Sequence, residues 1–275
     1  MPQRAILITG CSSGIGLASA RALKQQGWRV FATARTPEDL ERLKTQEGVE
    51  AVHLDLADPQ SITACAGTVL DKTGGTLDAL FNNAAYGQPG AIEDVPIEAL
   101  RAQFEVNVFG AHDLTRRIIP SMLAQGHGRI VQCSSVLGIL AAPYRGTYCA
   151  SKFALEALSD AMRMELADTG ISVSIVEPGP INTRFIEGSI AAAHRWIDID
   201  RSRHSARYKG MLAALENGGK QTFKLEPEAV AAKLVHAVES ARPKAHYYVT
   251  FPTYMAVIAR RTLPIKVIDW VAARS

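Results

Sequence analysis

The chain is predicted to fold as an α/β protein on a doubly wound parallel sheet, and three observations carry that prediction. Short apolar runs alternate with helix-length segments from the N-terminus to about residue 180. The first run, Ala5-Ile6-Leu7-Ile8-Thr9, opens directly into a glycine-rich turn and a helix, which is how a βαβ unit begins. Finally, 275 residues with 47% hydrophobic and 21% charged content can bury one substantial core, and no low-complexity tract or short repeat points elsewhere. One domain over residues 1–275 is therefore expected.

After the first strand, a helix runs from about Gly14 to Gln26 and stops at Gly27. Residues Arg29 to Ala34 form the second strand, and Thr36-Pro37-Glu38-Asp39 supplies an N-cap, a first-turn proline and early acids for the next helix. The third strand is Ala51 to Leu54, and Asp58-Pro59 caps another helix. A fourth strand, Leu77 to Asn82, ends in Asn82-Asn83-Ala84-Ala85, and a long helix follows Pro96. Arg129 to Ser135 is the fifth strand, Thr147 to about Ala167 a helix, and Ile171 to Val176 the sixth strand before Pro178-Gly179-Pro180. Residues 180–225 then read as an irregular, substrate-shaping insertion. A helix near Glu228 to Ser240, a short strand at His246 to Thr250 and an apolar, basic extension over 249–275 complete the chain.

The formal charge of +3 lends no support to nucleic-acid binding. Cys11, Cys65, Cys133 and Cys149 have neither metal-type spacing nor the density of a disulfide framework, so no metal and a reducing, cytoplasmic setting are expected. The apolar run at Ala5 meets Thr9-Gly10 too soon to serve as a signal-peptide core.

Chemistry concentrates in two places. Tyr148 and Lys152 stand four apart on one helical face, where an ammonium is expected to pull the phenol down from its ordinary ~10 toward working pH. Such a pair also arises by accident, so its neighbours must decide. In Thr9-Gly10-Cys11-Ser12-Ser13-Gly14-Ile15-Gly16, glycines let backbone approach a pyrophosphate and the helix N-terminus aims amides at it. A dinucleotide-binding, Rossmann-type sheet follows, and the lack of a Walker lysine disfavours ATP or GTP chemistry. The second strand ends Ala34-Arg35 with no carboxylate to repel a 2′-phosphate, so Arg35 selects NADP(H); the bland alternative is a solvated arginine.

Thr-Gly-x-x-x-Gly-x-Gly at 9–16, Asn82-Asn83-Ala84, Ser135, Tyr148-x-x-x-Lys152 and Pro178-Gly179, in this order, resemble the short-chain dehydrogenase/reductase family over residues 5 to about 190. That resemblance implies hydride transfer with Asn107, Ser135, Tyr148 and Lys152 as catalytic residues, Asn107 anchoring a water that relays protons to Lys152. Ser135 is preferred to Ser134 because the family commonly places its serine thirteen residues before the tyrosine, and Ser134 would face the other side of the sheet. The cofactor contacts implied are Gly10, Ser12, Ser13, Gly14, Ile15 and Gly16 at the pyrophosphate and Arg35, Asp55 and Leu56 around the adenosine. Asn82, Ala84, Tyr148, Lys152, Pro178, Gly179, Ile181 and Thr183 complete the set toward the nicotinamide. Ala85 departs from the family's usual glycine by one methyl. The motifs look closest to bacterial NADPH-dependent aldehyde reductases and to retinol and hydroxysteroid dehydrogenases, which implies an apolar aldehyde or ketone as small-molecule substrate. The family also implies a homo-oligomer paired through the helices of Asn107 and Tyr148.

Phe185, Ile186, Trp196, Tyr208, Met211 and Leu212 offer apolar surface to such a substrate. His194, Arg195, Arg201, Arg203, His204, Arg207 and Lys209 read either as a solvated face or as a patch steering an acidic substrate or a carrier-linked 3-oxoacyl thioester. The 249–275 segment carries Pro252, Pro264, Arg260, Arg261 and Lys266, which argue against a spanning helix. It can pack on its own domain, cover the cleft, contact a subunit, or rest on a membrane surface. A nonenzymatic NADP sensor would have no use for Ser135, Tyr148 and Lys152 together. An epimerase or dehydratase of the same fold carries a different glycine spacing and a longer C-terminal domain.

Ala34→Asp is expected to reverse the cofactor preference from NADP(H) to NAD(H), measured as the ratio of kcat/KM for the two; an unchanged ratio contradicts the assignment of Arg35.

Overall fold

The computed structural model describes residues 3–216 and 222–274. Its strands are β1 (Ala5–Ile8), β2 (Arg29–Ala34), β3 (Glu50–His53), β4 (Ala79–Asn82), β5 (Gly128–Cys133), β6 (Ile171–Glu177) and β7 (His246–Tyr248). They form one parallel sheet in the order β3-β2-β1-β4-β5-β6-β7. Strand order reverses at β1, where Ile6 pairs with Val30 of β2 on one side and Ala79 of β4 on the other. That reversal opens a crevice at the carboxyl ends of β1 and β4, the usual ligand position in such sheets.

Helices α1 (Gly14–Gln25), α2 (Pro37–Thr45) and α3 (Pro59–Lys72) follow the first three strands. Both predicted caps form: Thr36 Oγ1 accepts from the Asp39 amide, and the Asp58 carboxylate from the Gln60 amide. A long helical arm comprises α4 (Ile97–Phe104), a π-helical turn (Glu105–Gly110) and α5 (Ala111–Gln125), and α6 (Gly146–Glu165) lies beside it. Period-two alternation in β1 sends Ile6 and Ile8 to one face, with Leu23 of α1, and Leu7 to the other, with Phe31, Leu80, Leu114 and Ile118. Two cores thus sandwich the sheet, and α9 (Glu228–Glu239) closes the α1 side through Val230 and Leu234.

One expectation is corrected. The 180–225 insertion, expected to be irregular, holds among its described residues α7 (Phe185–Trp196) and α8 (Ser205–Glu216). Gly188 and Gly210 lower helix propensity inside them, and α8 splits its apolar residues between core (Tyr208, Leu212) and cleft (Met211, Leu215), so no single stripe announces the helix. The ends of the insertion are pinned where the Asn182 amide donates to Leu225 O at 2.8 Å and the Leu225 amide to Pro180 O at 3.1 Å. Beyond β7, α10 (Phe251–Thr262) and α11 (Ile265–Ala272) replace an undefined tail.

The π turn packs tightly on the loop after β3: a methyl at Gly110 would meet Leu56 O at 2.1 Å. Gly110→Ala is expected to cost ~1–3 kcal/mol of stability by overpacking, read as a lowered Tm; an unchanged Tm contradicts this contact.

Candidate active site

A cleft of about 1880 Å³ runs along the carboxyl ends of the central strands. Its floor at one end is the glycine turn. Gly10 and Gly14 take left-handed φ of +72° and +56°, and a methyl on Gly10 would meet Ala84 Cα at 2.9 Å. Ser13 caps α1 in extended conformation without a side-chain capping bond, which leaves the first-turn amides of the helix free for an anion. Thr9 Oγ1 accepts from the amides of Asn83 and Ala84 at 2.9 Å each, and Asn83 Nδ2 donates to Thr9 O at 2.9 Å and Gly10 O at 3.2 Å. The turn is thereby laced to the end of β4. Backbone without side chains, uncapped amides and a positive helix end fit the pyrophosphate of a dinucleotide.

Gly10, Ser12, Ser13, Gly14, Ile15, Arg35, Asp55, Leu56, Ala84, Ser135, Tyr148, Lys152, Pro178, Gly179, Ile181 and Thr183 all line this cleft. Asn82, Gly16 and Asn107 are not among its lining residues. Asn82 is buried and donates to Thr115 Oγ1 at 2.7 Å; strand alternation hands the cleft to Asn83 instead. Gly16 is a packing position, where a methyl would meet Gly10 O at 2.1 Å.

Asn107 sits in the π turn. Its Oδ1 accepts from the Tyr86 amide at 3.2 Å, and its Nδ2 donates to Tyr86 O at 3.0 Å and Ser151 Oγ at 3.1 Å. Ser151 Oγ in turn donates to Tyr148 O at 2.8 Å. Both amide donors therefore hold the β4 exit and the first turns of α6.

Tyr148 and Lys152 project from α6 into the same region. The Tyr148 ring packs edge-on against Phe185, with centroids 5.4 Å apart. Lys152, only 3% exposed, lies with Nζ 5.8 Å from the phenol ring centroid and donates to Cys133 O at 2.7 Å. Ser135 Oγ accepts from the Leu137 amide at 3.1 Å and also faces the phenol, whereas Ser134 Oγ turns toward Glu156 without a well-formed hydrogen bond. The protonation expected from spacing alone is corrected: burial pushes the Tyr148 phenol above its ordinary value, and the Ser135 hydrogen bond only partly opposes it. Burial likewise lowers Lys152. A protonated phenol next to a buried ammonium is a proton donor in waiting.

The apolar wall comes from Phe185, Ile186, Trp196 and Met211, together with Met255 and Leu263 of α10 and its exit, which pattern reading had assigned no fixed role. Tyr208 and Leu212 are core instead: Tyr208 Oη donates to Asp94 Oδ2 at 2.8 Å and accepts from the Ala91 amide at 2.7 Å. Tyr144 was also missed. It lines the cleft with a left-handed φ of 60° and hydrogen-bonds His204 Nδ1 through its hydroxyl. Of the basic stretch, Arg203 and His204 meet Glu93, Lys209 meets Asp200 at 2.7 Å and Arg201 meets Asp198 at 3.6 Å. Only Arg195 and Arg207 line the cleft.

A model of the short chain dehydrogenase family matches residues 4–192. The chain belongs to that family. The uncharacterized oxidoreductase YbbO of Escherichia coli K12 is 44% identical over 267 residues, covering 97% of this chain and 93% of that protein. The NADPH-dependent 3-dehydrocapnine reductase of Ornithobacterium rhinotracheale is 33% identical over 97% of this chain and 95% of its own. A short-chain dehydrogenase/reductase structure from Burkholderia phymatum, in complex with NAD, superposes with a TM-score of 0.80 at 25% identity, covering 98% and 95% of the two chains. As a short-chain dehydrogenase the protein is an oxidoreductase, and the family uses a nicotinamide cofactor.

Behind the cleft, Glu156, Glu177 and His246 bring one ligand-type atom each within 4.8 Å of one another, the one such group among the described residues. His246 Nδ1 is engaged by Glu177 Oε1 at 2.6 Å, and its other nitrogen faces Asp160 Oδ1 at 3.5 Å, so the group is built as an internal ion pair. Burial, followed by the Glu177 charge, raises Glu156 from 4.5 to about 7, while the bond to Glu177 raises His246. Both groups hold protons in the folded state that the unfolded chain releases, so their contribution to stability is present at low pH and is lost as pH rises through their folded values. Glu156→Gln is expected to match the wild-type Tm at pH 4 and exceed it by roughly 5–10 °C at pH 8, since the amide carries no buried charge; equal Tm values at both pH values contradict the buried ionisation.

Proposed function

We propose that this short-chain dehydrogenase is a cytoplasmic, NADP(H)-dependent reductase of an apolar aldehyde or ketone. The observation that carries the reading is the convergence of Ser135, Tyr148 and Lys152 beneath the apolar wall of Phe185, Trp196 and Met211 in the cleft that begins at the glycine turn. The free amides at the start of α1 would hold the pyrophosphate, Arg35 the 2′-phosphate, Asp55 and Leu56 the adenine side, and Ile181 and Thr183 the nicotinamide side. The NADPH-dependent relative favours this choice, and the NAD complex is the contrary case.

When bound, the nicotinamide supplies a hydride to the carbonyl carbon. Tyr148 donates its phenolic proton to the carbonyl oxygen as negative charge develops there. Ser135, whose Oγ already accepts from the Leu137 amide, retains its own O–H to donate to that oxygen. Lys152 uses one N–H on Cys133 O and keeps two for the cofactor ribose and for the phenolate that Tyr148 becomes. Desolvation by the surrounding side chains strengthens each of these interactions. The physiological direction follows the NADPH pool, toward the alcohol. Asn107 acts through Tyr86 and Ser151, as a positioning residue. Phe109, Leu123, Leu158 and Met164, exposed on the π turn, α5 and α6, favour homo-oligomer pairing on that side.

A carrier-linked 3-oxoacyl thioester is the second reading, favoured by Arg195 and Arg207 on the cleft wall. An NADPH-oxidation assay across medium-chain aldehydes, retinal, ketosteroids and 3-oxoacyl thioesters is expected to give the highest kcat/KM with the free apolar carbonyls, and a preference for thioesters would select the second reading. Tyr148→Phe is expected to lose ~10²–10⁴-fold in kcat while NADPH still binds, followed by nucleotide fluorescence; residual activity near wild type removes Tyr148 as the acid, and absence of turnover with every carbonyl returns the sensor reading.

A further inference from the structure

Nine of the seventeen large apolar side chains exposed among the described residues fall between Phe251 and Val271. Their spacing is ordered. In α10, Phe251, Tyr254, Met255 and Ile258 lie at i, i+3, i+4 and i+7, one stripe, while Thr253 and Ala256 are buried on the other side. Along α11, Val267, Trp270 and Val271 repeat the pattern, with Arg274 next on the stripe and Ile268 turned inward. Ile258 is 53% exposed and Trp270 58% exposed, so each leaves about half of its apolar surface in water as part of a contiguous patch.

The charges on these helices have one sign. Arg260, Arg261, Lys266 and Arg274 stand against Asp269 alone. Among the described residues none of the four pairs with a carboxylate; Arg260 lies over the Phe153 ring and Arg274 over Trp270 at 4.2 Å. Neither helix can cross a bilayer, since among the described residues no helix is long and apolar enough. Apolar stripes accompanied by Arg261, Lys266 and Arg274, with Trp and Tyr among them and Arg260 turned back on the domain, match the boundary between acyl chains and headgroups, where aromatics sit and cations snorkel to phosphates.

We propose that α10 and α11 dock on a membrane surface that carries anionic lipid. A second copy of the chain fits less well, because a two-fold contact would set this unpaired positive charge against itself. The surface is also continuous with the candidate active site: Met255, Leu263 and Val271 are exposed and line the cleft as well. An apolar carbonyl dissolved in lipid would reach Tyr148 along that wall without entering bulk water. The docking itself stands apart from the proposed reaction.

The test is flotation of the full chain with vesicles of phosphatidylcholine, with and without phosphatidylglycerol. Binding is expected to the anionic vesicles and to fall about tenfold on phosphatidylcholine alone or at high salt. The exposed pair Ile258→Glu/Trp270→Glu, and separately Lys266→Glu/Arg274→Glu, are expected to lower it about tenfold while Tm and the mass by light scattering stay at wild-type values. No binding by the wild-type chain, equal binding by both variants, or a fall in mass with lipid binding retained each overturns the proposal, the last by showing that the face covers a second copy. None of these readouts needs turnover, so failure here leaves the proposed reaction to its own assay.

Discussion

The close approach of three backbone segments at the reversal of strand order is the constraint on which the rest depends. Gly16 must lie against Gly10 O, Gly10 against Ala84, and Asn83 must bond back to Thr9 and Gly10. Any side chain at Gly10 or Gly16 would push α1 away from β4. The helix N-terminus would then no longer point at the crevice, and the lining from Arg35 to Thr183 would lose its common centre. The placement of α1 also fixes the face against which α9 packs, and so the edge from which β7 and the two C-terminal helices emerge.

Burial is the second governing effect. Two groups that spacing pairs as proton donor and activator, Tyr148 and Lys152, are pushed in opposite directions by desolvation, the phenol toward its neutral form and the ammonium toward losing its proton. Burial thus keeps the phenol protonated until a developing negative charge draws the proton away, while Lys152 is held nearer to sharing its own. Glu156, one turn beyond Lys152, pays for the same burial with a raised pKa, and its charge in turn favours the ammonium. The active face of α6 is therefore an electrostatic series rather than a single dyad.

The cleft joins two kinds of wall. The half at the glycine turn is backbone and small residues, set by the sheet; the other half is large apolar side chains from α7, α8, α10 and α11, set by elements outside the alternating pattern. The first half is laced by the Thr9 hydroxyl and the Asn83 amide, which bond to backbone across the strand reversal. The second is assembled from helices that show apolar residues both to the cleft and to the outside.

Much of this was legible in the residues alone. The fold class, the order of strands and helices to Glu177, both helix caps and the family follow from period-two and helical patterns, turn chemistry and a run of ordered motifs, all of which act over a few residues. Most of the expected cofactor contacts reached the cleft for the same reason. What escaped reading required knowledge of the other side of each element. Asn82 and Asn83 are equivalent in sequence until the sheet assigns their faces; Tyr208 and Met211 share a helix until Asp94 claims one of them. The helices α7 and α8 hide because each serves two surfaces, and the direction in which Tyr148 titrates depends on how deeply α6 is buried. Local pattern determined which elements form and in what order, because hydrogen bonding and turn conformation are local. Which side chains meet ligand, solvent or core, and with what charge, was decided by tertiary packing alone, because desolvation and contact depend on segments far apart in the chain.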